Sequence, residues 1–149
     1  MLQVGQNAPD FTLFNAEKES ISLSQFKGRN VVLLFFPKAF SGVCTKEFCD
    51  VRDNLQVYNN LNAEVIGISV DSESTLAEWK EKEGYNFNLV SDIDKIVSKS
   101  YDTLYEVGVS KRSAFVIDKD GILQYVEVLE DGYQVPSFEN ILSTLSALN

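Results

Sequence analysis

Two kinds of apolar spacing alternate along the chain. Val31-Val-Leu-Leu-Phe-Phe36 and Ala63-Glu-Val-Ile-Gly-Ile-Ser-Val70 are short, nearly unbroken apolar runs, the pattern of strands covered on both faces. Between them, about Gly42 to Asn59 has helical length. Upstream, Phe11-Thr-Leu-Phe14 and Ile21-Ser-Leu23 read as short extended pieces joined by the polar stretch 15–20. Asp71-Ser-Glu-Ser74 offers capping side chains for a helix through Leu76–Lys80 that Gly84 stops. Phe87–Val90 reads as a strand and Asp92–Tyr101 as a helix, with Ile93, Ile96 and Val97 at apolar spacing. Ser113–Ile117 and Ile122–Val128 flank Asp118-Lys-Asp-Gly121, a hairpin signal. Pro136-Ser137 opens a last helix whose apolar positions are Phe138, Ile141, Leu142, Leu145 and Leu148. Strands and helices alternate, and a hairpin and a helix close the chain. The class is α/β: a central mixed β-sheet flanked by helices, with extra strands at the N-terminus.

At 149 residues the chain predicts a single domain, 1–149. Composition is ordinary for a soluble globule, but the net charge of -9 argues against nucleic acid and against anionic membrane surfaces. Histidine is absent, which excludes His-dependent triads and His-ligated metal sites. The two cysteines, Cys44 and Cys49, are too few for a thiolate zinc site or an iron–sulfur cluster. Residues Met1–Asp10 lack the basic start and apolar core of a signal peptide. The longest apolar run, Val31–Phe36, is far short of a membrane span. A cytoplasmic protein is the expectation.

Chemistry is expected where the first buried strand ends. Pro37 terminates that strand because it cannot donate to the ladder, and Cys44 follows in the first turn of the next helix. Sites of open α/β sheets lie beyond the carboxyl ends of strands. Free helix amides and the positive end of the helix dipole stabilise a thiolate there, the reactive form of cysteine. Read singly, each neighbour has a plain structural role: Cys44 a buried small hydrophobe, Pro37 a strand terminator, Ser41 a helix cap, Glu47 a solvated first-turn charge.

Taken together, Phe36-Pro-Lys-Ala-Phe-Ser-Gly-Val-Cys-Thr-Lys-Glu47 fits P-x-x-x-[T/S]-x-x-C-x-x-E. This stretch resembles the active-site loop of the peroxiredoxins, the alkyl hydroperoxide reductase and thiol-specific antioxidant family of thiol peroxidases on a thioredoxin-like fold. Val4–Phe11, Val65–Asp71 and Lys111-Arg-Ser-Ala-Phe-Val-Ile-Asp-Lys-Asp-Gly121 resemble further family segments, in order, the last carrying the family's active-site arginine as Arg112. The resemblance implies that Cys44 attacks the peroxide, that Arg112 holds its thiolate and that Glu47 orients Arg112. Unpartnered, the Glu47 carboxylate would disfavour a thiolate on the same helix face. Ser41 would hold the peroxide with a hydroxyl that both donates and accepts, the Val43 and Cys44 amides would add donors, and Pro37 would limit water access. Ser41 departs from the family's common threonine, keeping the hydroxyl but losing the β-methyl that restricts it. No metal or prosthetic group is implied, and the expected reductant is a thioredoxin-like or glutaredoxin-like protein.

Cys49 lies five residues beyond Cys44, a rise of about 7.5 Å on an α-helix. That exceeds the roughly 7 Å Cα separation a disulfide tolerates, so the two thiols cannot bond until the first turns unwind. The C-x4-C spacing resembles the Q-type (bacterioferritin comigratory protein-like) branch, in which the second cysteine resolves the sulfenic acid. The loop also resembles the E-type branch, some members of which have no resolver. A one-cysteine enzyme resolved by an outside thiol therefore stays open, as do a thiol–disulfide oxidoreductase and a redox-responsive binding protein or chaperone. The spacing disfavours the oxidoreductase, which uses C-x-x-C. Family members occur as monomers and homodimers, and an exposed apolar edge near Ala39–Phe40 is a candidate dimer contact.

Overall fold

The structure is a computed structural model describing residues 2–149; Met1, which opens the N-terminal segment read above, lies outside the described residues. Seven strands form one sheet: β1 (Thr12–Asn15), β2 (Ser20–Ser22), β3 (Asn30–Phe35), β4 (Ala63–Ser69), β5 (Asn88–Ser91), β6 (Ser113–Ile117) and β7 (Leu123–Val128), in the order β2-β1-β5-β4-β3-β6-β7. β3, β4 and β5 are parallel neighbours, while β1–β2, β1–β5, β3–β6 and β6–β7 pair antiparallel. The sheet is mixed, as expected.

Every residue of β3 is buried, because both faces of the sheet are covered. Val32, Leu34 and Phe36 point into one apolar cluster; Val31, Leu33 and Phe35 point into the other. A strand between two layers of side chains needs apolar residues at every position, which is why its sequence does not alternate.

The first cluster is closed by α1 (Gly42–Asp53), α2 (Leu55–Asn60), α3 (Glu73–Glu83) and, near the C-terminus, α5 (Phe138–Ala147), through Phe48, Val51, Tyr58, Leu76, Trp79, Ile141 and Leu145. The second is closed by the 3-10 turn Leu23–Phe26, by Phe11, and by Val97 and Tyr101 of α4 (Ile96–Ser100) and its end. α1 approaches the sheet closely because β4 carries Gly67. A Cβ there would lie 2.5 Å from Phe48 Cε2 and 2.8 Å from Leu89 Cδ2.

Three local expectations change. The single helix expected over about Gly42–Asn59 is two, broken at Asn54 (φ -113°, ψ 15°), whose side-chain amide donates to the Asp50 carbonyl at 2.8 Å. Asparagine side chains compete in this way for helix carbonyls. The helix expected over Asp92–Tyr101 is confined to Ile96–Ser100, because the buried Asp92 carboxylate accepts from the Val97 and Ser98 amides (3.1 and 2.6 Å) and so fixes where the turn begins. Ile93 and Ile96 are consequently 56% and 67% exposed, and only Val97 of that trio is in the core. Ala39 is buried, so of the Ala39–Phe40 edge only Phe40 is exposed.

Candidate active site

The strand–loop–helix connection after β3 builds the site. Phe36 makes the last ladder bond, its amide donating to the Ile68 carbonyl at 3.0 Å, and Pro37 follows without a donor. The loop is tied to the end of β4: Asp71 Oδ2 accepts from the Ala39 amide (2.8 Å) and from the Ser69 hydroxyl (2.7 Å). The chain then turns through Phe40 at φ 68°, a left-handed conformation rare for an aromatic residue. This turn delivers Ser41 to the N-cap of α1, where its Oγ accepts from the Cys44 amide at 3.3 Å.

Cys44 therefore sits in the first turn of α1 and is fully buried. The Cys44 amide, expected above as a donor to peroxide, is engaged by Ser41. Capping uses the serine oxygen as an acceptor and leaves its O–H proton free to donate elsewhere. Ser41 thus serves as a cap without losing the donor that the sequence suggested for it.

Arg112 reaches Cys44 because of strand register. β6 pairs with β3 with Ser113 opposite Phe35, which brings Arg112 level with the carboxyl end of β3. The guanidinium is buried and makes four hydrogen bonds. Nη2 donates to Cys44 Sγ at 3.1 Å and Nη1 to Glu47 Oε1 at 2.8 Å, while Nε and Nη2 both donate to the Gly132 carbonyl at 3.2 and 3.1 Å. The planar fork of arginine satisfies three acceptors from one rigid group, which lysine cannot do.

Glu47, one helical turn beyond Cys44, is buried and paired with Arg112 at 2.8 Å. The solvated alternative is thereby replaced by a buried ion pair. Burial pushes the Glu47 carboxyl up to about 7, against the opposing charge and hydrogen bond of Arg112 and with a smaller push from Asp50. One ion pair returns less than desolvation takes from a carboxylate. Burial also opposes the charge on Arg112, but Cys44 and Glu47 together outweigh it and hold the guanidinium above its ordinary range. Arg112 thus stays a fixed cation against the sulfur at any working pH.

A cleft of about 590 Å³ opens at the N-terminus of α1, its lining including Pro37, Ser41, Val43, Tyr105, Arg112 and Tyr133. Its walls are largely apolar, with exposed Val107 and Tyr133 at the rim. A separate concavity at the opposite end of β3, lined by Asn7, Lys27, Val31 and Asp120, lies far along the strand from this chemistry.

Of the six residues singled out in the sequence, the structure brings Pro37, Ser41, Cys44, Glu47 and Arg112 together. Cys49 is on the same unbroken helix but faces elsewhere: its Sγ lies 3.7 Å from Glu83 Oε1 and 3.8 Å from the Tyr85 hydroxyl, and both cysteines are free thiols. Two contributors escaped the sequence reading. Gly132 acts through a backbone carbonyl, which no residue type signals. Asp71 was read as the end of a strand segment and as a helix-capping side chain, whereas its carboxylate accepts from the Ala39 amide and so ties the loop to the end of β4.

Among the described residues, no helix is long and apolar enough to cross a membrane. Residues 4–126 match the family model described as the AhpC/TSA family. The chain is 40% identical to a putative peroxiredoxin, ycf42, of Porphyra purpurea, over 99% of this chain and 78% of that protein. It is 37% identical to alkyl hydroperoxide reductase E of Mycobacterium bovis, over 89% of each. Its fold superposes on the crystal structure of peroxidoxin BcpB from Mycobacterium tuberculosis with a TM-score of 0.90, at 28% identity, covering 100% of this chain and 99% of that one. With a family model matched from near the N-terminus through β6 into β7, and relatives similar along nearly the whole length, the chain belongs to the AhpC/TSA family, the peroxiredoxins, which are thiol peroxidases acting on hydroperoxides.

Proposed function

We propose that Cys44 is the residue that attacks the peroxide and that Cys49 resolves the product. The observation that carries this reading is the buried sulfur of Cys44 in the first turn of α1 with Arg112 Nη2 at 3.1 Å. A charge-assisted donor and a helix N-terminus both favour negative charge on that sulfur. A hydroperoxide enters the cleft over Ser41 and Val43. The Cys44 thiolate forms an S–O bond to one oxygen while the O–O bond breaks. The other oxygen leaves as hydroxide or alkoxide and takes up a proton to become water or an alcohol. The Ser41 hydroxyl and the Arg112 guanidinium supply donors to the charge as it moves between oxygens. Pro37, at the cleft edge, limits water over the sulfur, and Glu47 keeps the guanidinium turned towards it.

The sulfenic acid on Cys44 then meets Cys49. An S–S bond forms, the S–O bond breaks, and the hydroxyl leaves with the Cys49 thiol proton as water. An external dithiol of the thioredoxin-like or glutaredoxin-like class returns both thiols, in a reducing compartment such as the cytoplasm. The apolar walls of the cleft suit organic hydroperoxides as well as hydrogen peroxide. The enzyme acts as a monomer or a homodimer.

Intact-mass analysis of the reduced protein after one equivalent of hydrogen peroxide tests this assignment, with Cys44→Ser and Cys49→Ser alongside. Loss of two hydrogens in the parent, abolished by either substitution, is the expected result. A stable added oxygen in the parent would leave Cys44 as the peroxidatic residue and make Cys49 structural. Unaltered reactivity in Cys44→Ser would overturn the assignment of Cys44.

A further inference from the structure

Opposite the Cys44–Arg112–Glu47 set, a second group of side chains closes on α1. Thr45 Oγ1 accepts from Trp79 Nε1 at 3.2 Å, and the Thr45 carbonyl accepts from the Tyr85 hydroxyl at 3.3 Å. The same Tyr85 hydroxyl lies 3.8 Å from Cys49 Sγ, whose thiol also points at Glu83 Oε1 3.7 Å away. Arg52, further along α1, donates to the Glu83 carbonyl. Trp79 and Tyr85 are buried, with ring centroids 4.9 Å apart, and both pack on Phe48 of α1.

One hydroxyl thus touches both the turn that holds Cys44 and the thiol of Cys49. Burial pushes the Tyr85 hydroxyl well above its ordinary range, so it keeps its proton at any working pH. With that proton given to the Thr45 carbonyl, the Tyr85 oxygen and Glu83 Oε1 are alternative acceptors for the single proton of the Cys49 thiol.

We propose that Tyr85, supported by Trp79 and Glu83, is the positioning residue of the resolution step: it latches the first turns of α1 and holds Cys49 away from Cys44 until the helix opens. This rests on Cys49 being the resolving residue. The rise between the two cysteines forbids a disulfide on the intact helix. Opening the first turns must break the Thr45 bonds to Tyr85 and Trp79, and turning Cys49 towards Cys44 must break its contacts to Tyr85 and Glu83. The latch therefore governs which of two reactions consumes the sulfenic acid. In one, Cys49 displaces the hydroxyl as water and a disulfide forms. In the other, the sulfenic sulfur attacks a second hydroperoxide, the O–O bond breaks, and a sulfinic acid and water or an alcohol result. The first reaction scales with the opened population of α1 and the second with peroxide concentration.

The test compares parent, Tyr85→Phe and Glu83→Gln in three readouts: the rate of Cys44 oxidation, the first-order rate of disulfide formation by quenched intact mass, and the sulfinic fraction against hydrogen peroxide concentration. Tyr85→Phe keeps the ring and deletes the latch hydroxyl. It should leave Cys44 oxidation within about twofold and speed disulfide formation about fivefold, the worth of one net hydrogen bond. More peroxide should then be needed to reach the same sulfinic fraction. Glu83→Gln should shift the last two readouts in the same direction by less, and it carries the test should Tyr85→Phe fail to fold. Unchanged disulfide rates in both variants, with a disulfide forming in the parent, would overturn the latch alone. Slowing of Cys44 oxidation in parallel would make Tyr85 merely structural and overturn it too. No disulfide in the parent would overturn the Cys49 assignment and the latch with it.

Discussion

Replacing Arg112 by methionine removes the only side-chain donor on the Cys44 sulfur among the described residues and leaves the shape of the stem. The guanidinium donates to Cys44 Sγ at 3.1 Å, to Glu47 at 2.8 Å and twice to the Gly132 carbonyl. A hydrogen bond to a charged group is worth about 1.5–3 kcal/mol, and each 1.4 kcal/mol is a factor of ten in rate. The second-order rate of Cys44 with hydrogen peroxide should fall about 10- to 150-fold. Arg112→Lys keeps the charge but cannot span the three acceptors, so its rate should lie between parent and Arg112→Met. Stability falls as well, since breaking a buried pair from one side costs about 3–5 kcal/mol. Protonation of Glu47, already raised to about 7 by burial, relieves part of that cost. Glu47→Gln/Arg112→Met should therefore be more stable than Arg112→Met near neutral pH, while remaining as slow. Stopped-flow single turnovers read the rate through the one tryptophan, Trp79, whose ring stacks on Phe48 at 5.5 Å. An Arg112→Met variant that is folded and reacts within twofold of the parent would refute the claim that this contact activates the sulfur.

Glu47→Gln makes a prediction about pH. The folded-state value of Glu47, about 7, lies above its ordinary value near 4.5, so the folded chain holds the extra proton between them. Stability from this group is full below about 4.5 and is lost as pH rises through 7. The parent's urea midpoint should carry that fall between pH 5 and 8, and Glu47→Gln should flatten it; identical slopes would contradict the buried pair. Gly67→Ala forces a Cβ to 2.5 Å from Phe48 and 2.8 Å from Leu89. This overpacking should cost about 2 kcal/mol and lower Tm by about 4–8 °C, and an unchanged Tm by calorimetry would show that α1 moves freely. Ser41→Thr preserves the cap to the Cys44 amide and restores the β-methyl, so peroxide reduction should run at or above the parent rate in a peroxide-consumption assay, and a large loss would count against a peroxide-holding hydroxyl.

What the chain disclosed about itself depended on range. β3 and β4 were legible because a two-sided strand needs unbroken apolar residues, and the β6–β7 hairpin because Asp118–Gly121 is a local turn. The last helix starts where Ser137 caps it, its Oγ accepting from the Asn140 amide at 3.1 Å. The break at Asn54 and the late start of α4 were missed because side-chain hydrogen bonds to nearby backbone overrode helical spacing. Strand order was not legible, since pairings such as β1 with β5 join residues far apart in sequence. At the site, Cys44 was legible from its place in the first turn after a buried strand, while Ser41, Glu47 and Arg112 were singled out through the resemblance of their segments to the peroxiredoxins. The facing of Cys49 towards Glu83 and Tyr85 depends on how α3 lies against α1, and the acceptor at Gly132 is a carbonyl with no signature.

Trapping of the sulfenic acid shows directly whether Cys44 is the residue that peroxide oxidises. Reduced Cys49→Ser, exposed to one equivalent of hydrogen peroxide with dimedone present, is digested and its peptides mapped by mass. One adduct is expected, on Cys44, formed as fast as the parent is oxidised and lost in Arg112→Met on the same timescale. Peroxide consumption by Cys49→Ser with no adduct or added oxygen on Cys44 would contradict that role for Cys44.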